Sequence, residues 1–310
     1  MKDTRGEHLM QAEGSLRDIQ GRIQARARKA YDPAGREIPF LKDADAQEIA
    51  SGLGITVHEV YQQALRCGIC PRRYLRNGAA ISLEEQWILS TSCVAVVGAG
   101  GLGGHVILLL ARMGIGHLIV IDHDRFDETN LNRQALSSPG ALGRLKSEEA
   151  AAVVAAVNPG VRMTSHPLRI DPSNASEILS GADVVVDALD NIQDRFVIED
   201  AARSRGIPLV HGALAGLEGQ VMTVFPGDAG LKRLYTSPDT GVAPAQSDPS
   251  RSPEAVLGVP TLTPALIATL QAAEVFKVLL KRGSPFRNVM VHVDLETGEM
   301  SHFSFGEVSS

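Results

Sequence analysis

Residues 93–104 read CVAVVGAGGLGG, a short apolar run that breaks into glycines at Gly98, Gly100, Gly101 and Gly103. Apolar character on both faces is what a strand buried in a parallel sheet requires. The G-x-G-x-x-G spacing follows at once, and Leu102–Met113 continues as an apolar helix, so strand, loop and helix form a unit suited to receiving phosphates. Gly98 permits the tight turn, Gly100 lets a phosphate approach the backbone, and Gly103 lets helix and strand pack closely. The free N–H groups of the loop, Gly101 included, and the positive end of the helix favour an anion. Leu118–Asp122 reads as the next strand, with Asp122 about 20 residues past the loop, where a carboxylate accepts hydrogen bonds from ribose hydroxyls.

The alternation continues outward. Leu145–Val157 reads as a helix stopped by Asn158-Pro159-Gly160, Val184–Ala188 as a strand, Gln193–Arg205 as a helix, and Pro208–His211 and Gln220–Phe225 as strands. Pro226–Pro260 is rich in Pro, Gly, Ser and Asp, and a loop of that length in a compact domain is usually functional or disordered. Pro264–Lys281 reads as an apolar helix, and Val289–Asp294 and Met300–Phe305 as a hairpin around Glu296-Thr297-Gly298. The class is α/β, a Rossmann-like doubly wound mixed sheet over residues 73–310, preceded by a small helical N-terminal extension over residues 1–72. In that extension residues 14–30 read as a helix with a solvated basic face. Residues 44–66 read as helix, turn and helix, with the turn at Gly52–Gly54 and Thr56 as N-cap.

Composition narrows the function. The 310 residues are 44% apolar and 21% charged, with a net charge of -6. The acidic pI near 5.9 opposes a binder driven by phosphate neutralisation of nucleic acid. Cys67, Cys70 and Cys93 are the only cysteines, too few for a disulfide scaffold, and a cytoplasmic setting is expected. The first residues, MKDTRGEHLMQAEG, carry no apolar signal segment. The apolar stretches Val106–Leu110 and Leu118–Ile121 are broken by Arg112, Gly114, Gly116 and His117, short of the ~20 residues that span a bilayer, so no membrane partner is expected.

A glycine loop alone says only adenine nucleotide. After Asp122 come Asp124, Asn130, Arg133 and Gln134, then Lys146 at a helix start. A dinucleotide has no need of Arg133 and Lys146 beyond the ribose acid, whereas a triphosphate must be neutralised for attack at phosphorus. Asp187 and Asp190, followed by Asn191, stand at the C-terminal end of a strand, over the crevice where such sheets bind ligands. A carboxylate there suits Mg2+, which takes one or two carboxylates plus phosphate oxygens.

With these residues in place the chain resembles the ThiF/MoeB/HesA family, bacterial relatives of ubiquitin-activating enzymes. The resemblance runs from about Arg73 to Phe305. It rests on RYLR at Arg73–Arg76, VVGAGGLG at Val96–Gly103, the run from Asp122 to Gln134, Lys146, DALDN at Asp187–Asn191, EGQV at Glu218–Val221 and LQAAEVFK at Leu270–Lys277. It implies an ATP- and Mg2+-dependent adenylyltransferase acting on the C-terminal Gly-Gly carboxylate of a ubiquitin-fold sulfur-carrier protein, with release of pyrophosphate, in thiamine or molybdo/tungstopterin biosynthesis. By motif position, Asp122 and Asp124 lie at the nucleotide, Asp122 on its ribose. Asn130, Arg133, Gln134 and Lys146 lie on its phosphates, and Asp190 on Mg2+ beside Asn191. Arg76 matches an arginine lent across a homodimer to the partner's ATP. The loop Pro226–Pro260 is expected over the carrier's tail.

The chain also departs from that family. Many relatives bind zinc through two C-x2-C pairs, but no cysteine follows Cys93, and Leu231–Tyr235 hold LKRLY, so no structural zinc is expected. Cys67-x2-Cys70 is one pair where a structural zinc wants four ligands. The missing cysteines imply that chemistry stops at the acyl adenylate, with a separate sulfur donor. The extra N-terminal residues are expected to serve dimer or partner contacts. Alternatives are a relative that activates a carboxylate on modified tRNA, an ATP-binding regulator reading DNA through residues 44–66, and a nicotinamide oxidoreductase.

Overall fold

The computed structural model describes residues 16–31, 35–235 and 252–305. Residues 16–26 form α1. Arg28–Tyr31 (β1), Glu37–Leu41 (β2) and Cys70–Pro71 (β3) make a three-stranded sheet around Asp43–Leu53 (α2) and Val57–Arg66 (α3). The expected helix–turn–helix is therefore present, with a small sheet added to it. Gly54, at φ 66°, ends α2, and Thr56 closes a capping box with Glu59 that starts α3. A 3-10 segment, Arg72–Ala80, leads to Leu83–Thr91 (α4).

The main domain follows in order: Cys93–Val97 (β4), Gly101–Met113 (α5), His117–Ile121 (β5), Lys146–Val157 (α6), Arg162–His166 (β6), Ala175–Ile178 (α7), Val184–Asp187 (β7), Ile192–Ser204 (α8), Leu209–Ala215 (β8) and Glu218–Val224 (β9). Lys232–Tyr235 (α9) and Pro253–Leu257 (α10) flank residues 236–251, so much of the expected Pro226–Pro260 loop lies outside the described residues, as do residues 1–15 and 306–310. Leu262–Leu280 (α11), Val289–Asp294 (β10) and Met300–Ser304 (β11) complete the chain.

One eight-stranded sheet runs β11-β10-β9-β8-β7-β4-β5-β6. The strands from β8 to β6 are parallel and the other three antiparallel, the mixed sheet expected. Because successive side chains alternate across a strand, β4 feeds two cores. Val94 and Val96 face α5 and α11 with Ile107, Leu110, Ile267 and Val275, while Ala95 and Val97 face the other side with Val185, Ile198 and Leu209. Helix α11 is long and apolar enough to cross a bilayer by length and composition, a feature the broken apolar stretches did not reveal. Here it buries Ile267, Gln271, Glu274 and Val275 inside the protein.

Register sets the site. Val97 pairs with Ile121 and with Asp187, and Asp187 with His211. Four parallel strands thus end level, and the turns after them meet at one edge. The chain leaves β4 towards β5 on one side and reaches β7 on the other, which opens a crevice there.

The extension is tied to this domain at His58, and the 3-10 segment that follows it is tied there through Arg73 and Tyr74. The His58 ring meets the Gly160 carbonyl at 2.9 Å, Arg73 donates to the Val157 carbonyl at 2.7 Å, and Asn158 donates to the Tyr74 hydroxyl at 2.8 Å. A DNA-reading pair would place α3 in a groove. In this chain α3 buries His58, Val60, Tyr61, Ala64 and Leu65 in packing.

Candidate active site

A cavity of about 220 Å³ lies at the level strand ends. Its floor is the glycine loop. Gly98 has φ 97°, and a Cβ there would stand 2.6 Å from the Ala188 carbonyl oxygen. At Gly103 a Cβ would stand 1.9 Å from the Gly98 oxygen. Gly98 and Gly103 are therefore glycines for turn and packing, and Gly103 itself is not on the cavity wall. Gly100 and Gly101 are on it. Gly100 caps α5 without a side chain, so the first N–H groups of a 13-residue helix are left to a ligand.

Asp122 stands beside this loop. Its carboxylate accepts from Ala99 N at 2.7 Å and Asp124 N at 2.8 Å, which fixes its orientation. Burial raises its pKa, and the two N–H groups and Lys146 pull against that rise. Lys146, the first residue of α6, is buried to 7% exposure and donates to Asp124 Oδ2 at 3.1 Å. Among the described residues the Arg133 guanidinium donates only to neutral oxygens, the Thr129 carbonyl at 2.7 Å and Asn132 Oδ1 at 3.0 Å. Gln134 is buried on the wall and its amide oxygen has no partner among the described residues. An uncapped helix start, two cations not consumed by buried acids and an idle amide fit a polyphosphate.

Across the cavity, Asp190 is exposed, and no hydrogen bond or ion pair engages it among the described residues. An open carboxylate on the cavity wall fits a magnesium ion, which retains waters. Asn191 also lines the cavity, but its side chain accepts from Asp194 N at 2.8 Å as the N-cap of α8. Besides Gly103, two residues in the expected set lie elsewhere. Asn130 is buried, and its side chain accepts from Asp127 N at 3.0 Å, which shapes the turn that carries Arg133. Arg76 is exposed on the 3-10 segment and does not reach this cavity within one chain.

Residues 74–308 match the ThiF family. The chain belongs to the ThiF family. The Haloferax volcanii protein named SAMP-activating enzyme E1 is 39% identical over 212 residues, 68% of this chain and 76% of that one. The sulfur carrier protein adenylyltransferase of Thermus thermophilus is 38% identical over 217 residues, 68% of this chain and 78% of the relative. Among solved structures, E. coli MccB with ATP shares the fold at a TM-score of 0.61 and 20% identity, over 85% of this chain and 83% of that one. The nucleotidyltransferase class expected from the sequence is the class its relatives carry by name.

Several polar groups of this ThiF-family site carry no local motif. Arg169 lines the cavity and grips the buried Asp194 with two bonds of 3.2 and 3.1 Å. Arg195, also on the wall, is 4% exposed. Asp187, read from the sequence as one of two carboxylates over the crevice, is fully buried behind the wall. It meets His211 Nδ1 at 2.7 Å, with the Arg195 Nε at 3.6 Å. Burial lowers the His211 pKa against the pull of Asp187. His211 ends the predicted strand Pro208–His211, so its place at the crevice edge was readable, although its partners were not.

Proposed function

We propose that this chain activates the C-terminal carboxylate of a small ubiquitin-fold sulfur-carrier protein ending in Gly-Gly, forming an acyl adenylate from ATP and releasing pyrophosphate. The supporting observation is the union, in one cavity, of the uncapped α5 start, Lys146, Arg133 and an unengaged Asp190. The relatives named above as SAMP-activating enzyme and sulfur carrier protein adenylyltransferase point to the same class of substrate.

No general base is needed, because a carboxylate is already ionised near neutral pH. A carrier carboxylate oxygen bonds to the α-phosphorus while the bond from that phosphorus to the pyrophosphate oxygen breaks. Asp122 fixes the ribose. The α5 N–H groups, Gln134, Arg133 and Lys146 hold the phosphates and stabilise the charge that builds on the leaving pyrophosphate. Mg2+ held by Asp190 supplies further neutralisation when bound. Much of the acceleration comes from holding two anions in one geometry.

The proposal includes a cytoplasmic homodimer in which Arg76 completes the partner's site, and a separate sulfur donor, since the three cysteines all precede Gly98. Carrier-stimulated ATP–pyrophosphate exchange over a panel of Gly-Gly-ended carriers tests the reaction. Exchange with one carrier, abolished by Asp190→Ala, is expected; wild-type silence with every carrier refutes the assignment. Mixing Arg76→Ala and Asp190→Ala subunits tests the dimer, because a heterodimer regains an intact site only if Arg76 crosses between subunits.

A further inference from the structure

Behind the cavity wall lies a buried polar chain that the reaction does not use directly. Asp187 can only accept, so the His211 Nδ1 at 2.7 Å carries the proton, and Nε2 is left to accept. The Tyr235 hydroxyl donates to it at 3.1 Å. The same hydroxyl oxygen accepts from Arg195 Nη1 at 2.6 Å and from Gln220 Nε2 at 3.1 Å, so its bonding capacity is full. The Tyr235 ring stacks edge-on to His211 and lies 5.4 Å from the Arg195 guanidinium carbon. On its other arm, Arg195 Nη2 donates to the Leu189 carbonyl at 2.5 Å. Leu189 precedes Asp190, and Leu189 N is tied back to Asp187 Oδ1 at 3.0 Å. The turn that presents Asp190 is therefore gripped at Leu189 by both members of one buried ion pair.

We propose that Tyr235 is a positioning residue for the adenylating site: its hydroxyl orients Arg195, which through the Leu189 carbonyl fixes the turn bearing Asp190. The proposal rests on the reading of Asp190 as the magnesium-facing carboxylate. Arg195 has five donors, and Tyr235 and Leu189 take one from each of Nη1 and Nη2. Its Nε has no hydrogen-bond partner among the described residues and faces Asp187 at 3.6 Å. Without the hydroxyl, Nη1 loses its acceptor and the guanidinium is free to turn onto Asp187, which releases Leu189. Asp190 would then lose its fixed approach to the cavity, although its own atoms are untouched.

The test is Tyr235→Phe, which keeps the ring and removes the oxygen. In ATP–pyrophosphate exchange at saturating ATP, kcat is expected to fall about tenfold, in keeping with the steep cost of small misplacements. The half-saturating magnesium concentration should rise severalfold, with the carrier KM unchanged. Thr223→Val controls for lost stability. It removes a buried bond, Thr223 to Glu274 at 2.5 Å, away from the cavity wall, and should leave both quantities alone. Arg195→Lys should reproduce the magnesium shift, and the double variant should be no worse than Arg195→Lys alone. Wild-type kcat and magnesium dependence in Tyr235→Phe, or effects that multiply in the double variant, would overturn the proposal. Should Tyr235→Phe fail to fold, Arg195→Lys decides by itself, and an unchanged magnesium requirement refutes it. Magnesium-dependent ATP binding by calorimetry reads the same shift without any carrier, so failure of the proposed reaction stays separable from failure of this network.

Discussion

Gly103→Ala should break the fold, and Gly100→Ala should spare it while harming the nucleotide site. The two glycines belong to one motif, but their surroundings differ. A Cβ at Gly103 would meet the Gly98 oxygen at 1.9 Å, the Gly98 carbonyl carbon at 2.7 Å and the Ala188 Cβ at 3.2 Å. The first two are backbone atoms and cannot rotate away. Relief requires α5 to move off β4 by more than an ångström, and both pack in a core that includes Val94, Val96, Val106 and Ile107. Overpacking of a dense core costs about 1–3 kcal/mol and at times more, and rigid backbone on the opposing side puts this case at about 3 kcal/mol or above. Such a loss is a large share of a typical stability of ~5–15 kcal/mol. A Cβ at Gly100 meets only the Gln134 amide, at 3.6 and 3.9 Å, which is ordinary contact. That substitution should cost less than about 1 kcal/mol, yet it narrows the cavity beside Gln134. Urea unfolding gives the first quantity and calorimetric ATP binding the second. A Gly103→Ala midpoint equal to wild type, or Gly100→Ala as damaging to stability as Gly103→Ala, would refute the division of roles.

Lys146→Met should lower kcat by about 10²–10³, since it removes charge stabilisation at the phosphates; its ion pair with half-exposed Asp124 makes little difference to the urea midpoint. Stability should fall as pH drops below about 6.5. Burial lowers the pKa of His58, against its bond to Gly160, and also that of His211. The unfolded chain then binds more protons than the folded one, and each site contributes a slope of up to about 1.4 kcal/mol per pH unit. The urea midpoint between pH 5.5 and 7.5 measures this, and His58→Gln should flatten it; a flat wild-type curve contradicts it. EDTA should leave the melting temperature within about 1 °C. Leu231, Leu234 and Phe305 pack into an apolar cluster near where the family resemblance would have put zinc-binding pairs. A larger drop in the melting temperature would show a structural metal after all.

The elements that were legible are those whose burial is symmetric. The strand Cys93–Val97 and the helix after it announce themselves because both faces are apolar and glycine ends the run. The strand Arg162–His166, RMTSH, gave no such signal. It is the edge of the sheet, pairing only with His117–Ile121, and none of its residues is fully buried. An edge strand needs no apolar run. The helix Leu83–Thr91 did carry a mark, the Ser82–Glu85 capping box, but its weak periodicity hid it. In the site, Lys146, Arg133 and Asp190 were readable because each falls within a local motif. Tyr235 and Arg195 meet only in space, 40 residues apart in the chain, and no local pattern joins them.

The placement of charge explains why those three residues stand out in the cavity. Asp187 and Asp190 are three positions apart, yet the structure gives them opposite fates. Asp187 sits inside the wall, where Arg195 and His211 engage it. Arg169, although on the wall, is paired with Asp194. Both pairs therefore add little net field to the cavity. What remains is Arg133 on neutral partners, Lys146 against an acid that water already screens, and the oriented N–H groups of Gly101–Met113. These donors gather at the glycine loop beside the ribose-side carboxylate of Asp122, while the open carboxylate of Asp190 lies across from them. A cavity that offers oriented N–H groups, Arg133 and Lys146 on one side and an open carboxylate on the other suits a polyphosphate with its metal. Arg133, held by a carbonyl and an amide oxygen, and Lys146, paired with a half-exposed acid, both keep charge to offer such a ligand.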